Sequence, residues 1–295
     1  MPRLSILIPT YHRPQLLPRA IASALAQTET DIEVIVVEDG SPEPAVLPDD
    51  PRVRRVRLEK NVGVSGARNT GAESATSRYI TYLDDDDELL PHFTQTALDA
   101  LAETTLPKPV AALSGMDVVQ GNGKLVETRI PPTLPRGSHF QLEPIDPEYS
   151  YFSKQTLVVE RDLLLRIGGY DRGMASRVLT DLMLRLSPVC SILGIPTVGY
   201  RHYVHGGDRI SDDPGRRKRM VEYLIAKHDA ALREHPEGFS TFLIQHAITL
   251  WSLGERGDAV QSALRAARVS PVHTSALLAS TMLRGVRHSI SVSRP

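Results

Sequence analysis

The stretch at residues 32–37, with the sequence IEVIVV, constrains the fold of this chain most, because it contains four consecutive β-branched residues. A run without polar alternation is typical of a strand that is buried on both faces, as in a parallel sheet covered by helices. Weaker strand candidates lie at residues 4–8, 53–58 and 79–83. The sequence therefore predicts that residues 32–37 form a sheet strand that is buried on both faces.

Helical patterns lie between these strands. Leu17, Ile21 and Leu25 recur every four residues, which predicts one helix, and residues 67–75 predict a second helix of small residues. The resulting βαβα order predicts an α/β fold with a mostly parallel, Rossmann-like sheet flanked by helices. In such sheets, ligands bind in the crevice beyond the carboxyl ends of the strands.

A proline-rich segment and a change of pattern divide the rest of the chain. Residues 131–151 contain five prolines and predict a long loop, and from residue 216 onward the pattern is helical. We therefore predict two domains, an α/β domain at residues 1–215 and a helical C-terminal extension at residues 216–295. The apolar stripes that we expect to face the core of this extension are Val221, Leu224, Ile225 and Leu232, and Ile244, Ile248 and Trp251.

Composition narrows the class of protein. With 34 basic and 35 acidic residues the formal net charge is -1, which disfavours a nucleic-acid binder that depends on whole-chain basicity. The single cysteine, Cys190, excludes an internal disulfide framework and a multi-cysteine zinc site, and it fits a reducing compartment. The apolar runs are too short for a signal sequence or a membrane span. We therefore expect a cytoplasmic protein.

Four adjacent aspartates, Asp84, Asp85, Asp86 and Asp87, follow the strand candidate at residues 79–83. Carboxylates this close repel one another unless a cation is present, and Mg²⁺ or Mn²⁺ prefers such oxygen ligands. In a strand-like segment, Asp84 and Asp86 would point the same way and share one metal and nucleotide site. A solvated acidic turn is the alternative. An EF-hand is disfavoured, because its loop requires glycine where the chain has Leu89.

Two further segments carry candidate ligand groups. At the end of the strand at residues 32–37, Asp39 can accept a hydrogen bond from a base or ribose; a plain strand-to-turn transition is the alternative. The glycines at residues 63–71 match neither a dinucleotide-binding fingerprint nor a P-loop. Gly66 is predicted to open a helix, whose N-terminus with Arg68 forms either an anion site or a helix start with a solvated arginine.

In this order and spacing, the motifs resemble those of the family 2 glycosyltransferases, which have the GT-A fold. The resemblance covers residues 1–210 and is most specific in the N-terminal motifs. The matching segments are residues 9–14, 38–41, 63–71 and 84–87 with Pro91, and more loosely residues 168–171 with 180–182, and 200–201 leading to His205 and Ser211.

The resemblance implies a metal-dependent, inverting glycosyltransferase. Such an enzyme moves a sugar from a nucleotide-sugar donor, in known members often a UDP-sugar, to a hydroxyl group of a glycan, lipid-linked or other acceptor, as in polysaccharide biosynthesis. It implies Mn²⁺ or Mg²⁺ as cofactor, bound by Asp86 and His205. Tyr11 would lie against the base, Asp39 would accept a hydrogen bond from it, and Asp84 would lie near the ribose. The nucleotide-binding residues that the resemblance implies are Pro9, Thr10, Tyr11, Asp39, Arg68, Asp84 and Asp85.

The resemblance also implies that Asp181 is the catalytic base, because it falls at the second position of the family's Glu-Asp pair. Thr180 replaces the glutamate, which departs from the family pattern. Taken by itself, Asp181 also fits a helix N-terminal aspartate capped by Thr180. His205 also fits a surface histidine in a glycine-rich loop.

Two other functions stay open from the sequence. The first is a catalytically silent GT-A-like module that binds a nucleotide sugar or glycan as a partner protein, against which the presence of Asp86 and Asp181 counts. The second is a sugar-nucleotide pyrophosphorylase, which would need a glycine-rich, basic N-terminal loop where the chain has Pro9, Thr10 and Tyr11.

The C-terminal tail permits two interpretations. After Asp258 the chain has five arginines and no acidic residue, interleaved with apolar side chains. Such a basic, apolar segment can lie on an anionic membrane surface, which would make the protein peripherally membrane-bound. Alternatively, the leucines pack against the preceding helices and the arginines are solvated. A homodimer is a further arrangement that the sequence leaves open.

Overall fold

The structure, a computed structural model, describes residues 1–204 and 213–279 of the chain. His205, Ser211 and the part of the arginine-rich tail after residue 279 therefore lie outside the described residues. Two compact units are present. The first contains Met1–Phe140 and the chain from Ile145 to Val204, and the second contains Gln141–Pro144 and the helices from residue 214 onward. The predicted division at residue 215 stays a prediction.

The first unit begins with four strands and two helices. In chain order these are β1 (Leu4–Thr10), α1 (Leu17–Leu25), β2 (Ile32–Glu38), β3 (Val53–Arg57), α2 (Gly63–Ser74) and β4 (Tyr79–Tyr82). β3, β2, β1 and β4 are neighbours in this order, and all three pairings are parallel. Every residue of β2 is buried, as predicted for the strand at residues 32–37.

The later strands extend the same sheet. They are β5 (Glu88–Leu89), β6 (Val110–Gln120), β7 (Leu125–Arg129), β8 (Val158–Glu160) and β9 (Ser191–Val204), with the helices α3 (Phe93–Glu103), α4 (Arg161–Arg166) and α5 (Val178–Leu186). The full order is β3-β2-β1-β4-β8-β6-β9-β5, with β7 on β6. Among these later strands β6 and β9 pair in parallel, whereas the other described pairings are antiparallel. The proline-rich residues 131–151 form the predicted long loop.

Helix α2 begins at Gly63, so the prediction that Gly66 opens this helix is wrong. The chain enters the helix early because two side chains hold its first turn. One carboxylate oxygen of Asp39 accepts a hydrogen bond from the backbone N–H of Val62 at 2.7 Å, and the side chain of Asn61 accepts one from Gly63 at 3.0 Å. The acidic end of β2 therefore determines where α2 starts.

Small residues let α2 lie close to the sheet. A Cβ atom added at Gly71 would lie 3.3 Å from side-chain atoms of both Leu7 and Val37. Because the helix approaches β1 and β2 so closely, Arg68 is carried into the interior, where it is only 5% exposed. The alternative in which Arg68 is a solvated arginine is therefore wrong, whereas the anion site stays a prediction.

The second unit contains α6 (Pro214–Lys227), α7 (Asp229–Glu234), α8 (Pro236–Ser252) and α9 (Arg256–Val269). The first predicted stripe is confirmed, since Val221, Leu224, Ile225 and Leu232 are all buried. The second is wrong in part, because Ile248 and Trp251 are 54% and 57% exposed. The buried face of α8 instead runs through Phe239, Phe242, Leu243, Ile244 and Leu250. No helix among the described residues is long and apolar enough to cross a membrane.

Candidate active site

Three parallel strands end at one edge of the sheet, β1 at Thr10, β2 at Glu38 and β4 at Tyr82. The segments that follow them therefore meet at this edge. The backbone N–H of Asp39 donates to the carbonyl oxygen of Thr10 at 2.9 Å, and that of Leu83 donates to Leu7 at 3.0 Å. This is the crevice beyond the strand ends in which α/β sheets bind their ligands.

The end of β2 forms a tight corner beside Thr10. Gly40 has a φ of +72°, and a Cβ atom added there would lie 2.4 Å from the backbone nitrogen of Asn61. Only glycine fits this position, because both the backbone conformation and the neighbouring chain exclude a side chain. Asp39 is buried against the start of α2, whereas Tyr11 is 49% exposed. The corner therefore offers a carboxylate and an accessible aromatic ring near each other.

The four adjacent aspartates form a turn, in which the N–H of Asp87 donates to the carbonyl oxygen of Asp84 at 3.0 Å. Their side chains alternate between the site and the interior. Asp84 and Asp86 are 31% and 25% exposed, whereas Asp85 and Asp87 are 6% and 0% exposed. The segment is not strand-like, but the turn leaves Asp84 and Asp86 as the two accessible carboxylates.

Asp85 links the turn to the end of β1. One carboxylate oxygen accepts a hydrogen bond from Thr10 Oγ1 at 2.7 Å, and the other accepts one from Arg13 Nη1 at 2.9 Å. Burial raises the pKa of Asp85 to about 6, although Thr10 and Arg13 oppose this shift. The direct nucleotide contact that was expected of Asp85 stays a prediction, and the contacts described here hold the loop after β1 against the turn.

Asp87 is fully buried and links the turn to β9. It accepts hydrogen bonds from Tyr200 Oη at 2.8 Å and from the backbone N–H of Tyr203 at 2.9 Å, and it lies 2.9 Å from His202 Nδ1. Burial raises the pKa of Asp87 above its usual value, while His202 acts in the opposite direction. These three residues of β9 fix the acidic turn against that strand.

Arg68 and Asp84 form an ion pair at the floor of the crevice, with 2.6 Å between Arg68 Nη2 and Asp84 Oδ1. The guanidinium carbon of Arg68 lies 5.7 Å and 5.2 Å from the ring centres of Tyr82 and Tyr170. Burial opposes the charged form, but the negative charge of Asp84 raises the pKa of Arg68 above its usual value. Arg68 is thus a fixed positive charge that holds Asp84 in one orientation.

Asp86 is the second accessible aspartate of the turn. One of its carboxylate oxygens accepts a hydrogen bond from Arg13 Nη1 at 3.0 Å, and its backbone carbonyl accepts one from Arg19. Accessible carboxylate oxygens on Asp84 and Asp86, in one short turn, are the donor set that Mg²⁺ or Mn²⁺ uses together with substrate phosphates. The residues of the turn therefore fit a divalent cation.

Asp181 lies in the first turn of α5 and is fully buried. Its Oδ2 atom accepts hydrogen bonds from Arg185 Nη2 at 2.7 Å and Nε at 3.1 Å, and Arg185 also donates to the carbonyl oxygens of Ile167 and Gly169. Helix α5 begins at Val178 without a side-chain cap, so the alternative in which Thr180 caps it is wrong. The role of Asp181 as catalytic base stays a prediction.

Sequence reasoning missed Lys154, which forms part of a 3₁₀ turn and lines the same narrow space as Arg68 and Asp84. Lys154 follows the proline-rich loop, and the sequence around it has no periodic pattern that indicates a buried or functional lysine. Arg13 lies in the motif at residues 9–14, but nothing in the sequence assigns it a role. Its contacts with two aspartates could not be foreseen from spacing, because they join residues more than 70 positions apart.

The chain is similar in sequence to a known family and to several known proteins. The model described as Glycosyl transferase family 2 matches residues 5–143. The succinoglycan biosynthesis protein ExoO of Rhizobium meliloti is 34% identical in an alignment of 259 positions, which covers 80% of this chain and 69% of ExoO. The β-1,3-glucosyltransferase of Campylobacter jejuni named for GalNAc(5)-diNAcBac-PP-undecaprenol is 39% identical in an alignment of 98 positions, which covers 30% of this chain and 31% of that protein.

The fold was compared with solved structures. Residues 1–349 of S. aureus TarS, in a complex with UDP-GlcNAc, align with a TM-score of 0.65 and 17% sequence identity, covering 93% of this chain and 83% of that one. The sheet, the crevice and the acidic turn thus define a protein of the GT-A fold. The chain belongs to the family 2 glycosyltransferases. It spans less than a third of the Campylobacter relative and about two thirds of ExoO.

Proposed function

We propose that this chain is a metal-dependent, inverting glycosyltransferase that transfers a sugar from a UDP-sugar to a hydroxyl group of a glycan or lipid-linked acceptor. The proposal depends most on one observation, which is that exposed and buried carboxylates alternate along the acidic turn. Asp84 and Asp86 face the crevice, while the carboxylates of Asp85 and Asp87 are held in the interior by hydrogen bonds. A purely solvated acidic turn would have no need to bury two of its four charges.

The nucleotide is assigned to the edge formed by Pro9, Thr10, Tyr11 and Asp39. Asp39 accepts one hydrogen bond from Val62, and its second carboxylate oxygen is assigned to the base. Tyr11, which is exposed, stacks on the base, and Asp84, held by Arg68, faces the ribose. The UDP-GlcNAc complex of TarS makes UDP-sugars the first donors to test.

The cation is assigned to Asp86, with Asp84 beside it and with His205, which lies outside the described residues. When bound, Mg²⁺ or Mn²⁺ supplies positive charge that stabilises the diphosphate as it leaves. Arg13 contacts Asp86 in this structure, so the arginine must give up this contact or share the carboxylate. Its guanidinium is then free to turn towards the phosphates.

The acceptor hydroxyl loses its proton to a carboxylate on the far side of the sugar, and attack in line with the leaving group inverts the anomeric carbon. Asp181 is our candidate for this base. The carboxylate of Asp181 is bound to Arg185. To reach the acceptor, the side chain of Asp181 must change its orientation, or its ion pair with Arg185 must weaken. The names of the relatives, one from succinoglycan biosynthesis and one for an undecaprenol-linked glycan, motivate the acceptor class.

A second candidate function is a catalytically silent module that binds a nucleotide sugar or glycan. The burial of Asp181 against Arg185 favours it, because a carboxylate held in this way is a poor proton acceptor. The two functions differ in one measurable property. The enzyme releases UDP from a UDP-sugar, whereas the silent module binds the donor and leaves it intact.

The test is a panel of nucleotide sugars, measured with and without Mn²⁺ for binding by thermal shift and for release of the nucleoside diphosphate. We expect one donor to be preferred, and its Mn²⁺-dependent binding to be lost in Asp86→Asn. Asp99→Asn, an exposed aspartate on α3, is the matched control and should behave as the wild type. Equal Mn²⁺-dependent binding by both variants would contradict the metal assignment.

The proposal also includes peripheral membrane contact through the arginine-rich tail, which lies in part outside the described residues. Flotation with anionic vesicles should recover the whole chain but not a chain truncated after Pro271. Equal binding by the two chains would contradict a docking role for the tail. Size-exclusion chromatography with light scattering decides between a monomer and the homodimer that the sequence left open.

A further inference from the structure

Helix α8 has an apolar face that the described residues leave exposed. Ile248 and Trp251 lie one turn apart on this helix and are 54% and 57% exposed. The other outward side chains between residues 241 and 252 are the half-buried Thr241 and Gln245 and the exposed Ser252. No charged side chain therefore interrupts the outward side of the helix over these three turns. We call this surface, with Ile248 and Trp251 at its centre, the α8 face.

Helix α8 has large apolar side chains on both its inward and its outward side. Phe239, Leu243 and Leu250 are buried on the inward side, whereas Ile248 and Trp251 lie outward. A helix at a protein surface normally has a charged or polar outward side, and a helix that is apolar all round is normally covered on every side. The composition of the α8 face therefore indicates a surface that a further partner covers.

The charge of the helical part of the chain indicates the sign of this partner. Residues 214–295 contain twelve basic and six acidic side chains, a net charge of +6, whereas the whole chain has a formal charge of -1. Positive charge confined to one part of a chain is typical of proteins that contact a nucleic acid or a membrane surface. One of these cations lies at the α8 face itself, since the guanidinium carbon of Arg256 is 5.5 Å from the centre of the Trp251 ring.

Charge and polarity together separate the possible partners. A second copy of the chain would bring two parts of charge +6 together, and the chain's own end, residues 280–295, adds three arginines and no acidic residue. Both would increase the repulsion between like charges. A nucleic acid accepts positive charge but offers mainly phosphates, which do not bury apolar side chains. An anionic membrane surface offers headgroups for the arginines and a hydrocarbon boundary for Ile248 and Trp251, and tryptophan is enriched at that boundary.

We propose that the α8 face docks onto an anionic membrane surface. Ile248 and Trp251 enter the boundary between headgroups and acyl chains, and Arg256 binds the headgroups. The inference does not depend on glycosyltransferase activity. It differs from the tail contact proposed above, because it assigns the membrane contact to a folded helix and to two apolar side chains. A membrane contact made by the tail alone would leave both side chains in water.

Trp251 is the single tryptophan of the chain, so its fluorescence reports on the α8 face directly. The experiment adds vesicles of phosphatidylcholine, with and without phosphatidylglycerol, to the full chain. With the anionic vesicles we expect the emission of Trp251 to shift to shorter wavelength and to be quenched by brominated acyl chains. With phosphatidylcholine alone the shift should be small, and added salt should weaken binding to the anionic vesicles because it screens the charges.

Variants separate the apolar and the charged contributions, with the affinity measured from the same shift. Ile248→Ser should weaken binding about tenfold, because it removes an inserted apolar side chain. Arg256→Gln should weaken it about fivefold, because it removes one cation at the surface. Val46→Ser, which changes a 90% exposed apolar residue of the first unit, is the matched control and should equal the wild type. All these positions are exposed, so the variants should melt at the temperature of the wild type.

Three results would overturn the inference. Vesicle binding with an unshifted Trp251 emission, and with equal flotation of the wild type and Ile248→Ser, would leave the membrane contact to the tail alone. Emission that is already at short wavelength without vesicles would show that the α8 face is covered in solution, by a second copy if the shift depends on protein concentration and by the chain's own end if it does not. Absence of vesicle binding would contradict the tail contact as well. Donor binding and release of the nucleoside diphosphate are measured without vesicles, so failure of the glycosyltransferase proposal is seen separately.

Discussion

Arg13 donates to a carboxylate oxygen of Asp86 across 3.0 Å, and the same Nη1 atom lies 2.9 Å from Asp85. A single guanidinium nitrogen of Arg13 thus contacts the carboxylates of two neighbouring aspartates in the turn. This is the position in which positive charge is most needed, because the two carboxylates repel each other. Arg13 offsets part of this repulsion, and under the proposed metal assignment it would compete with a cation for Asp86.

Removing this competitor should strengthen binding of the metal alone. In Arg13→Gln we expect the affinity for Mn²⁺ without nucleotide to rise by up to about fivefold, the equivalent of a partly exposed ion pair. Titration followed by electron paramagnetic resonance of free Mn²⁺ measures this directly. Arg78→Gln removes an ion pair with Glu160 and serves as the control. Unchanged or weaker Mn²⁺ binding in Arg13→Gln would show that the arginine does not compete.

Asp181→Asn should leave UDP affinity nearly unchanged and lower the rate of transfer by roughly 10²–10⁴-fold, as is typical for loss of a general base. Because Asp181 is bound to Arg185, the same variant should also lower the melting temperature. Asp162→Asn, an exposed aspartate in the first turn of α4, is the control. Reduced stability with a transfer rate equal to that of the wild type would assign Asp181 a structural role, and Asp171 would be the next candidate for the base.

Asp85 should make the chain less stable as the pH rises. Its pKa is about 6 in the folded protein against 3.8 for a free aspartate, so between these values the folded state binds more protons than the unfolded state. The resulting stabilisation is complete below pH 3.8 and is lost as the pH rises through 6. Asp85→Asn removes this dependence.

Relative to the wild type, Asp85→Asn should therefore gain about 1–2 kcal/mol in free energy of unfolding between pH 5 and pH 8. Urea unfolding at the two pH values measures the difference. Asp99→Asn, which alters an exposed carboxylate, should show no such change. A difference between Asp85→Asn and the wild type that is equal at both pH values would show that the pKa of Asp85 is not raised.

Gly40 and Gly123 offer a matched pair for testing the corner after β2. Both have positive φ angles, +72° and +81°, but only Gly40 has a neighbour where a Cβ atom would lie. Gly123→Ala should cost about 1–2 kcal/mol from backbone strain alone. Gly40→Ala should cost more and should also weaken UDP binding, because the chain around Asn61 must move. Equal free energies of unfolding and equal UDP affinities for the two variants would contradict the close approach.

The first strands could be predicted because their signals are local. β-Branched runs and four-residue repeats depend on neighbours in sequence, so β2 and α1 were found within a residue or two of their ends. The start of α2 was misplaced because Asp39, more than 20 residues away, holds its first turn. In α8, the buried face depends on which helices pack against it, and the exposure of Ile248 and Trp251 could not be read from periodicity.

The sequence by itself determined the α/β class, the resemblance to the family and the position of the four adjacent aspartates, since these follow from the order of strands, glycines and carboxylates along the chain. Only the tertiary structure decided which charged side chains are buried and which groups they contact. Thr10 meets Asp85 and Lys154 meets Thr180 across 75 and 26 positions. Such contacts arise where the sheet brings strand ends and loops together, and burial then sets the protonation of each group.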